Sequence, residues 1–230
     1  HAPRAERLVD YEVGYRYNGH KFEASAGLYW MQYKDQFVLN GNINEIGEAI
    51  SENVADSHRA GIELAGAWKP CSMFRWDANV TLSQNQIKDY VAYLPNADWS
   101  KGIAQPARKN TTISFSPSVV ANNRFTVDYR GFTASLTSQY VGRQYLDNME
   151  LRENSLDAYF VSHLSAAYSF RLPSVKEITI GATVYNLFNA KYETNGYSQS
   201  SVDDKGAVLH DPRFYPMAGT NFLVNVGLKF

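Results

Sequence analysis

The chain has 230 residues and a formal net charge of -1, with 22 Lys and Arg against 23 Asp and Glu. That length suits one large domain or two small ones, and the balanced charge gives nucleic acid no basic footprint. Hydrophobic residues make up 44% of the chain, yet mean hydropathy is -0.38 and no apolar run approaches the roughly 18 residues of a membrane helix.

Alternation of apolar and polar residues, the mark of a strand with two different faces, recurs along the chain. The first strand candidate is Leu8 to Tyr17, with Val9, Tyr11, Val13, Tyr15 and Tyr17 on one face. Asn18-Gly19 is a tight-turn signal. A second strand from Lys21 to about Leu39 carries Phe22, Ala24, Ala26, Leu28 and Trp30 on its apolar face, and a polar stretch from Asn40 to about Ser57 follows. The third strand spans about Arg59 to Lys69 and breaks at Pro70-Cys71-Ser72. The fourth, Met73 to about Ile87, sets Phe74, Trp76, Ala78, Val80 and Leu82 against Arg75, Asp77, Asn79, Thr81 and Ser83. A long polar stretch reaches Pro117.

The fifth strand covers about Ser118 to Arg130, and Arg130-Gly131 turns it into the sixth, which starts at Phe132 and includes Leu136 and Tyr140. After a polar segment, Asp147 to Ser155, the seventh strand spans about Asp157 to Arg171 and the eighth about Lys176 to Phe188. Asn189 to Ala218, rich in turn formers and charges of both signs, reads as a mobile, exposed loop. The ninth strand closes the chain: Phe222, Val224, Val226, Leu228 and Phe230 lie on one face.

Connections alternate short and long, as the periplasmic turns and extracellular loops of outer-membrane barrels do. Aromatic residues gather beside the short turns (Tyr17, Phe22, Trp68, Phe74, Tyr129, Phe132, Phe170 and Phe230 among them), which predicts a girdle at the periplasmic edge. The fold class is therefore all-β: a transmembrane antiparallel β-barrel. A bacterial single-chain barrel has an even number of strands, so nine points to strands missing on the N-terminal side. The alternative is a miscounted strand and a small closed barrel of about eight or ten.

One face of the strands is nearly free of charge and is assigned to lipid. The other carries charges that require water, partners or a plug. Its lumen- or plug-facing candidates are Glu12, Arg16, Arg75, Asp77, Asp128 and Arg130, with Glu23, Glu63 and Lys229 on the same face. His163 also falls there and reads as structural. In extracellular segments, Trp99, Tyr197, Arg213 and Tyr215 are ligand-contact candidates, because aromatics with Arg suit a flat anionic chelate. Asp203, Asp204, His210 and Asp211 match no defined metal site and read as a solvated loop.

No G-x-S-x-G, H-E-x-x-H, Walker or Cys-based zinc pattern is present. No catalytic, cofactor or metal residue is assigned. Cys71 is the single cysteine and forms no disulfide within the chain.

Asn53-Val54 with Ser57 and Gly61-Ile62-Glu63 entering a strand, and Gln139-Tyr140-Val141-Gly142-Arg143-Gln144-Tyr145-Leu146-Asp147-Asn148 in a later strand, resemble segments of the TonB-dependent receptor family. Leu156 to Val161 resembles the strand after it. Val184-Tyr185-Asn186-Leu187-Phe188-Asn189, with Tyr192-Glu193 and Asn195-Gly196, and the segment Phe214 to Phe222 resemble its last strands.

The resemblance implies that residues 1–230 are the C-terminal part of a 22-stranded barrel, without its plug domain and earlier strands. It further implies an outer-membrane receptor for active uptake of a scarce ligand, foremost a ferric siderophore or other iron complex. Implied partners are TonB, through a segment not in this chain, with its inner-membrane energising complex, the lipid bilayer and the barrel-assembly machinery. Uptake of haem, cobalamin or glycans, and a non-transporting adhesin or structural barrel, are the alternatives.

Overall fold

The computed structural model describes residues 3–44, 46–96, 102–173 and 175–230. The chain is built of antiparallel strands. The membrane wall uses β1 (Arg7–Asn18), β2 (Phe22–Ile43), β3 (Ala49–Cys71) and β4 (Phe74–Tyr90). Short strands β5 (Tyr93–Pro95), β6 (Gly102–Ala104) and β7 (Arg108–Thr112) follow. The wall resumes with β8 (Val119–Tyr129) and β9 (Phe132–Val141), then, after β10 (Gln144–Tyr145) and β11 (Ser155–Leu156), with β12 (Tyr159–Leu172) and β13 (Val175–Tyr185). Strands β14 (Glu193–Val202) and β15 (Val208–Pro216) precede the last, β16 (Asn221–Lys229).

The principal sheet runs β1-β2-β3-β4-β8-β9-β12-β13-β16, with β7 paired to the upper part of β4. Among the described residues β1 and β16 each pair on one side only. The sheet is therefore an open wall and not a small closed barrel. The expected nine strands all appear in the expected order.

Register fixes the faces. Tyr15 and Ala26 continue across the sheet through Leu64 and Val80, and Phe125 pairs with Leu136, which pairs with Leu164 and through it Val184 and Phe222. These residues form one apolar surface. On it, aromatics recur eight positions apart, at 22 and 30, 132 and 140, 160 and 168, and 222 and 230. Eight residues span about 26 Å of strand, or about 20 Å of membrane depth at the usual tilt. Phe22, Phe132, Tyr168 and Phe230 mark the lower girdle; Trp30, Tyr140, Phe160 and Phe222 mark an upper one that the sequence reading did not separate. Near the short turns the rings touch: Trp76 stacks on Phe125 at 5.9 Å and Trp68 meets Phe74 edge-on at 6.4 Å.

Two turns show how sequence sets geometry. Arg130 and Gly131 both have positive φ (49° and 84°) between paired Tyr129 and Phe132, the arrangement of a two-residue type I′ hairpin. Asn18-Gly19 does not make such a turn. Asn18 pairs with Glu23, and the wider loop is closed by Gly19 N–H donating to Phe22 O at 2.9 Å.

Above the upper girdle the wall continues as a structured cap, where the sequence reading expected loops. Strand β3 begins at Ala49, inside the stretch read as a polar connection. Tyr33 and Gln36 on β2, Val54 and Ser57 on β3, and Ile87 and Tyr90 on β4 are all buried. Burial thus changes parity at one height on three adjacent strands. On β2 the change falls at Asp35, with φ 53°, whose carbonyl accepts a bond from Asn53 Nδ2 at 2.7 Å. Past this level Gln36 and Val38 turn inward while Phe37 and Leu39 are exposed.

The inner face of the cap holds its apolar core: Val38, Val54, Ile87, Tyr90, Ala92, Leu94, Ile113, Met149 and Val202. Residues 189–218, expected to be a mobile loop without period, instead contain the β14–β15 hairpin, paired from Glu193–Pro216 to Val202–Val208. Its inner face is made of Gly196, Ser198, Ser200 and Val202, all buried. Small residues hide the alternation from a hydropathy reading.

Candidate functional site

Three groups of residues are candidates for function. The first is a charged concavity on the membrane-spanning part, lined by Arg16, Glu23, Arg75, Asp77 and Arg124. Asp77 is paired in register with Arg124 on β8. Arg75 Nη2 lies 2.7 Å from Asp77 and 3.8 Å from Glu23 of β2. Above it Asn122 Nδ2 donates to Asn79 Oδ1 at 3.1 Å. Alternation forces this, because each strand puts its apolar set on lipid and leaves its polar set to this face.

Of the lumen candidates, Arg16, Arg75 and Asp77 come together here. Glu12 lies farther up β1, opposite Tyr29. Asp128 accepts a bond from Thr133 Oγ1 at 3.4 Å beside the turn. Arg130 sits in that turn with its guanidinium 5.1 Å from the Tyr129 ring centre, at the rim and outside the cluster.

The second group is the outer face of the β14–β15 hairpin. Tyr197 pairs with Arg213, and Asn195 with Tyr215, so the three ligand candidates within the described residues share one surface. Tyr197 and Tyr215 are 6.2 Å apart. Arg213 Nη2 holds Asp211 at 2.7 Å, and that carboxylate keeps the guanidinium protonated even above its usual range. Trp99, the fourth candidate, lies outside the described residues. Asp203 serves the hairpin turn, accepting from the backbone N–H of Lys205 and Ala207. Among the described residues no three His, Cys, Asp or Glu side chains gather as a metal site.

The third group was not singled out from sequence: a buried polar network inside the cap. Tyr90 donates its hydroxyl to Glu52 Oε1 at 2.7 Å. Burial pushes the Glu52 carboxyl up, more than its bonds to Tyr90 and Asn40 pull it down. The Tyr90 hydroxyl is pushed up as well, by burial and by Glu52. Asp147 is 2% exposed and accepts bonds from Met149 N–H at 2.9 Å and Asn154 Nδ2 at 2.7 Å; burial nonetheless raises it above the usual carboxylate range. Asn148 donates to Leu39 O at 2.9 Å and accepts from Ser114 N–H at 2.8 Å. Glu52, Tyr90, Asp147, Ser198 and Ser200 line one small enclosed cavity. The sequence signal was there in the Tyr145-Leu146-Asp147-Asn148 segment, whose last three residues are almost wholly buried. His163 accepts a bond from Asn186 N–H at 3.0 Å, a structural role.

A nine-strand wall with two aromatic girdles, a charged inner face and a packed cap is part of an outer-membrane β-barrel. The model of the TonB dependent receptor-like β-barrel matches residues 4–187, and the chain belongs to that family.

The pesticin receptor of Yersinia enterocolitica is 23% identical over 86% of this chain and 26% of its own length; that of Yersinia pestis is 22% identical over the same shares. The chain thus spans about a quarter of these curated relatives. Among solved structures, the ferric yersiniabactin uptake receptor FyuA from Yersinia pestis superposes with a TM-score of 0.63 at 18% identity, over 96% of this chain and 29% of that one. The copper transporter OprC gives 0.66 at 20% identity, over 100% and 32%.

Proposed function

We propose that this wall is the C-terminal portion of the barrel of an outer-membrane receptor that takes up a scarce ligand with energy delivered through TonB, and that the ligand is a ferric siderophore or other iron complex. The observation that carries the reading is the division of one sheet into a lipid face and a charged inner face, Arg16, Glu23, Arg75, Asp77 and Arg124, in a chain of this receptor family. Charges of both signs facing inward suit a hydrated lumen closed by a plug.

The aromatic and Arg face of the hairpin, Tyr197, Arg213 and Tyr215, would meet a flat anionic chelate by stacking and charge. TonB and its inner-membrane complex would act on a segment outside this chain. The bilayer and the barrel-assembly machinery complete the partners, and no cofactor or catalytic step is required.

The test uses the full-length receptor. A deletion strain is grown on defined iron sources and complemented with the wild type, with Tyr197→Ala and with Arg213→Ala. Growth restored by the wild type on one ferric chelate, and reduced by both variants at equal receptor abundance, supports the reading. Unaltered growth of the deletion strain on every iron source would refute iron uptake.

A further inference from the structure

The β14–β15 hairpin has a firm base, a free tip and a polar seam between. Its base is pinned where the chain leaves β13 and enters β16. Asn186 Nδ2 donates to Ala190 O at 2.8 Å and Ala218 O at 3.1 Å, and Ala190 N–H donates back to Asn186 Oδ1 at 2.8 Å. Thr220 adds bonds to Asn189 Oδ1 and Asn186 O. The tip, residues 204–207, is exposed.

Between base and tip the hairpin lies on the cap, and Val202 alone of its side chains joins the apolar core, with Val208 packed beside it. Elsewhere in the seam Gly196 lies over Leu146, Val202 bridges Asn96 through the backbone, and Ala92, Leu94 and Met149 line the small cavity beside Ser198 and Ser200; the side-chain hydrogen bonds that cross it centre on Asn154. Asn154, fully buried, directs its Nδ2 at Asp147 Oδ2 on the cap side, 2.7 Å away, and at His210 Nδ1 and Ser200 Oγ on the hairpin side, 3.1 and 3.4 Å away.

An amide nitrogen only donates. With Asp147 ionised, the Asn154 amide is held in this orientation, and its second hydrogen is left for the hairpin, to His210 Nδ1 when that nitrogen is the acceptor or to Ser200 Oγ. Asn154 is therefore the joint between hairpin and cap. Its own carbonyl oxygen, Oδ1, is buried and has no partner. Leaving a buried acceptor dry opposes the docked arrangement, and water reaches that oxygen when the hairpin lifts. Ser198 and Ser200, 1% and 2% exposed, gain solvent in the same movement.

We propose that the β14–β15 hairpin is a detachable strap. It hinges at Asn186 and Asn189, is latched on Asn154, and lifts as a unit from a cap that stays folded. The seam differs from the cap interior in its larger share of polar contacts. Beneath it, Val38, Val54, Ile87 and Ile113 pack as an apolar core, which opens only by unfolding; hydroxyls and amides exchange protein partners for water with little loss. The titratable groups that face the seam are His210 on the hairpin, Asp147 on the cap and, across the small cavity, Glu52 and Tyr90. Lifting therefore separates His210 from Asn154 and Asp147.

The experiment is thiol labelling of the purified full-length receptor, at constant pH, in a Cys71→Ser background. Single cysteines replace Ser198 under the strap, Thr111 in the cap beneath it (4% exposed, with its hydroxyl unpartnered) and Lys205 at the exposed tip. The Ser198→Cys site is expected to label fully but slowly, well behind Lys205→Cys. Adding Asn154→Asp, which sets a second carboxylate against Asp147, should speed Ser198→Cys labelling tenfold or more and change Thr111→Cys labelling less than twofold.

His210→Leu, which removes a partner of Asn154 from the other side, should act in the same direction and keeps the test available if Asn154→Asp folds poorly. Equal acceleration at Ser198→Cys and Thr111→Cys would show that the cap opens as one body, and no acceleration at either would show that Asn154 is not the latch. Each result overturns the proposal.

Discussion

Leu136 tests the assignment of faces most directly. It lies midway between Phe132 and Tyr140 on β9, so the two girdles place it near the bilayer centre. It is in register with Phe125 and Leu164 on the apolar surface. Thr137, the next residue, points to the inner face beside Arg124 and His163. An Arg at a lipid-facing midplane site costs about 2–4 kcal/mol, and near an interface about 0–1. At 1.4 kcal/mol per tenfold, Leu136→Arg should lower the folding equilibrium by a factor of about 30 to 1,000. Thr137→Arg enters a hydrated, already charged surface, where an exposed charge interaction is worth about 1 kcal/mol or less. The assay is urea unfolding of the full-length receptor in vesicles, followed by heat-modifiable mobility. Equal losses for the two variants, or a larger loss for Thr137→Arg, would refute both the register and the depth.

Gly61 offers a steric test: a Cβ there would stand 2.6 Å from Leu82 O on the neighbouring backbone, whereas one at Gly27 meets nothing within 4 Å. Gly61→Val should therefore sharply reduce folded receptor in the membrane fraction, while Gly27→Ala leaves it unchanged. Burial raises the Glu52 carboxyl, so the closed cap holds this proton more tightly than an opened one. The resulting stabilisation is complete below the ordinary carboxylate pKa and is lost as pH rises through the raised value. Hydrogen exchange corrected for intrinsic rates should show cap protection falling across that window, with a flatter fall in Glu52→Gln; an unchanged slope would clear Glu52 of the effect. Deleting Phe230, which ends the apolar series at the lower girdle with its carbonyl held by Lys176 Nζ at 2.8 Å, should reduce folded receptor in the outer membrane while the assembled fraction keeps its ligand affinity. Normal abundance with weakened binding would contradict its placement.

The wall was legible because membrane strands obey one rule over their whole length. Lipid excludes charge from alternate positions, so Phe74 to Leu82 or Phe222 to Phe230 announces both the strand and its faces. The cap was not legible because the rule changes above the membrane. Water on both sides removes the demand for an apolar outer face. The parity switch at Asp35 exchanges inward and outward residues without any break in composition. The β14–β15 hairpin buries Ser198 and Ser200 as completely as a core strand buries Val, and no hydropathy period records that. Of the candidate site residues, charge on the inner face brought Arg16, Arg75 and Asp77 together, while Tyr197, Arg213 and Tyr215 met only because a hairpin formed where a loop was expected.

The segments that carry the family resemblance turn out to be joints. Asn53 ties Asp35 at the parity switch, and Ser57 donates to Gln36 Oε1 at 2.6 Å just below it. Gly61 lets β4 approach β3, Asp147 and Asn148 seat the loop after β10 on the cap, and Asn186 and Asn189 fix the base of the hairpin. Gly61 serves by having no side chain, Ser57 by meeting the Gln36 side chain, and Asn53, Asn148 and Asn186 by answering backbone groups. Outer-face positions such as Tyr197 and Arg213 carry no such constraint from the fold. A motif built from joints therefore identifies the receptor family while leaving its ligand open, and the same hinge and cap can present different side chains on the outer face of the strap.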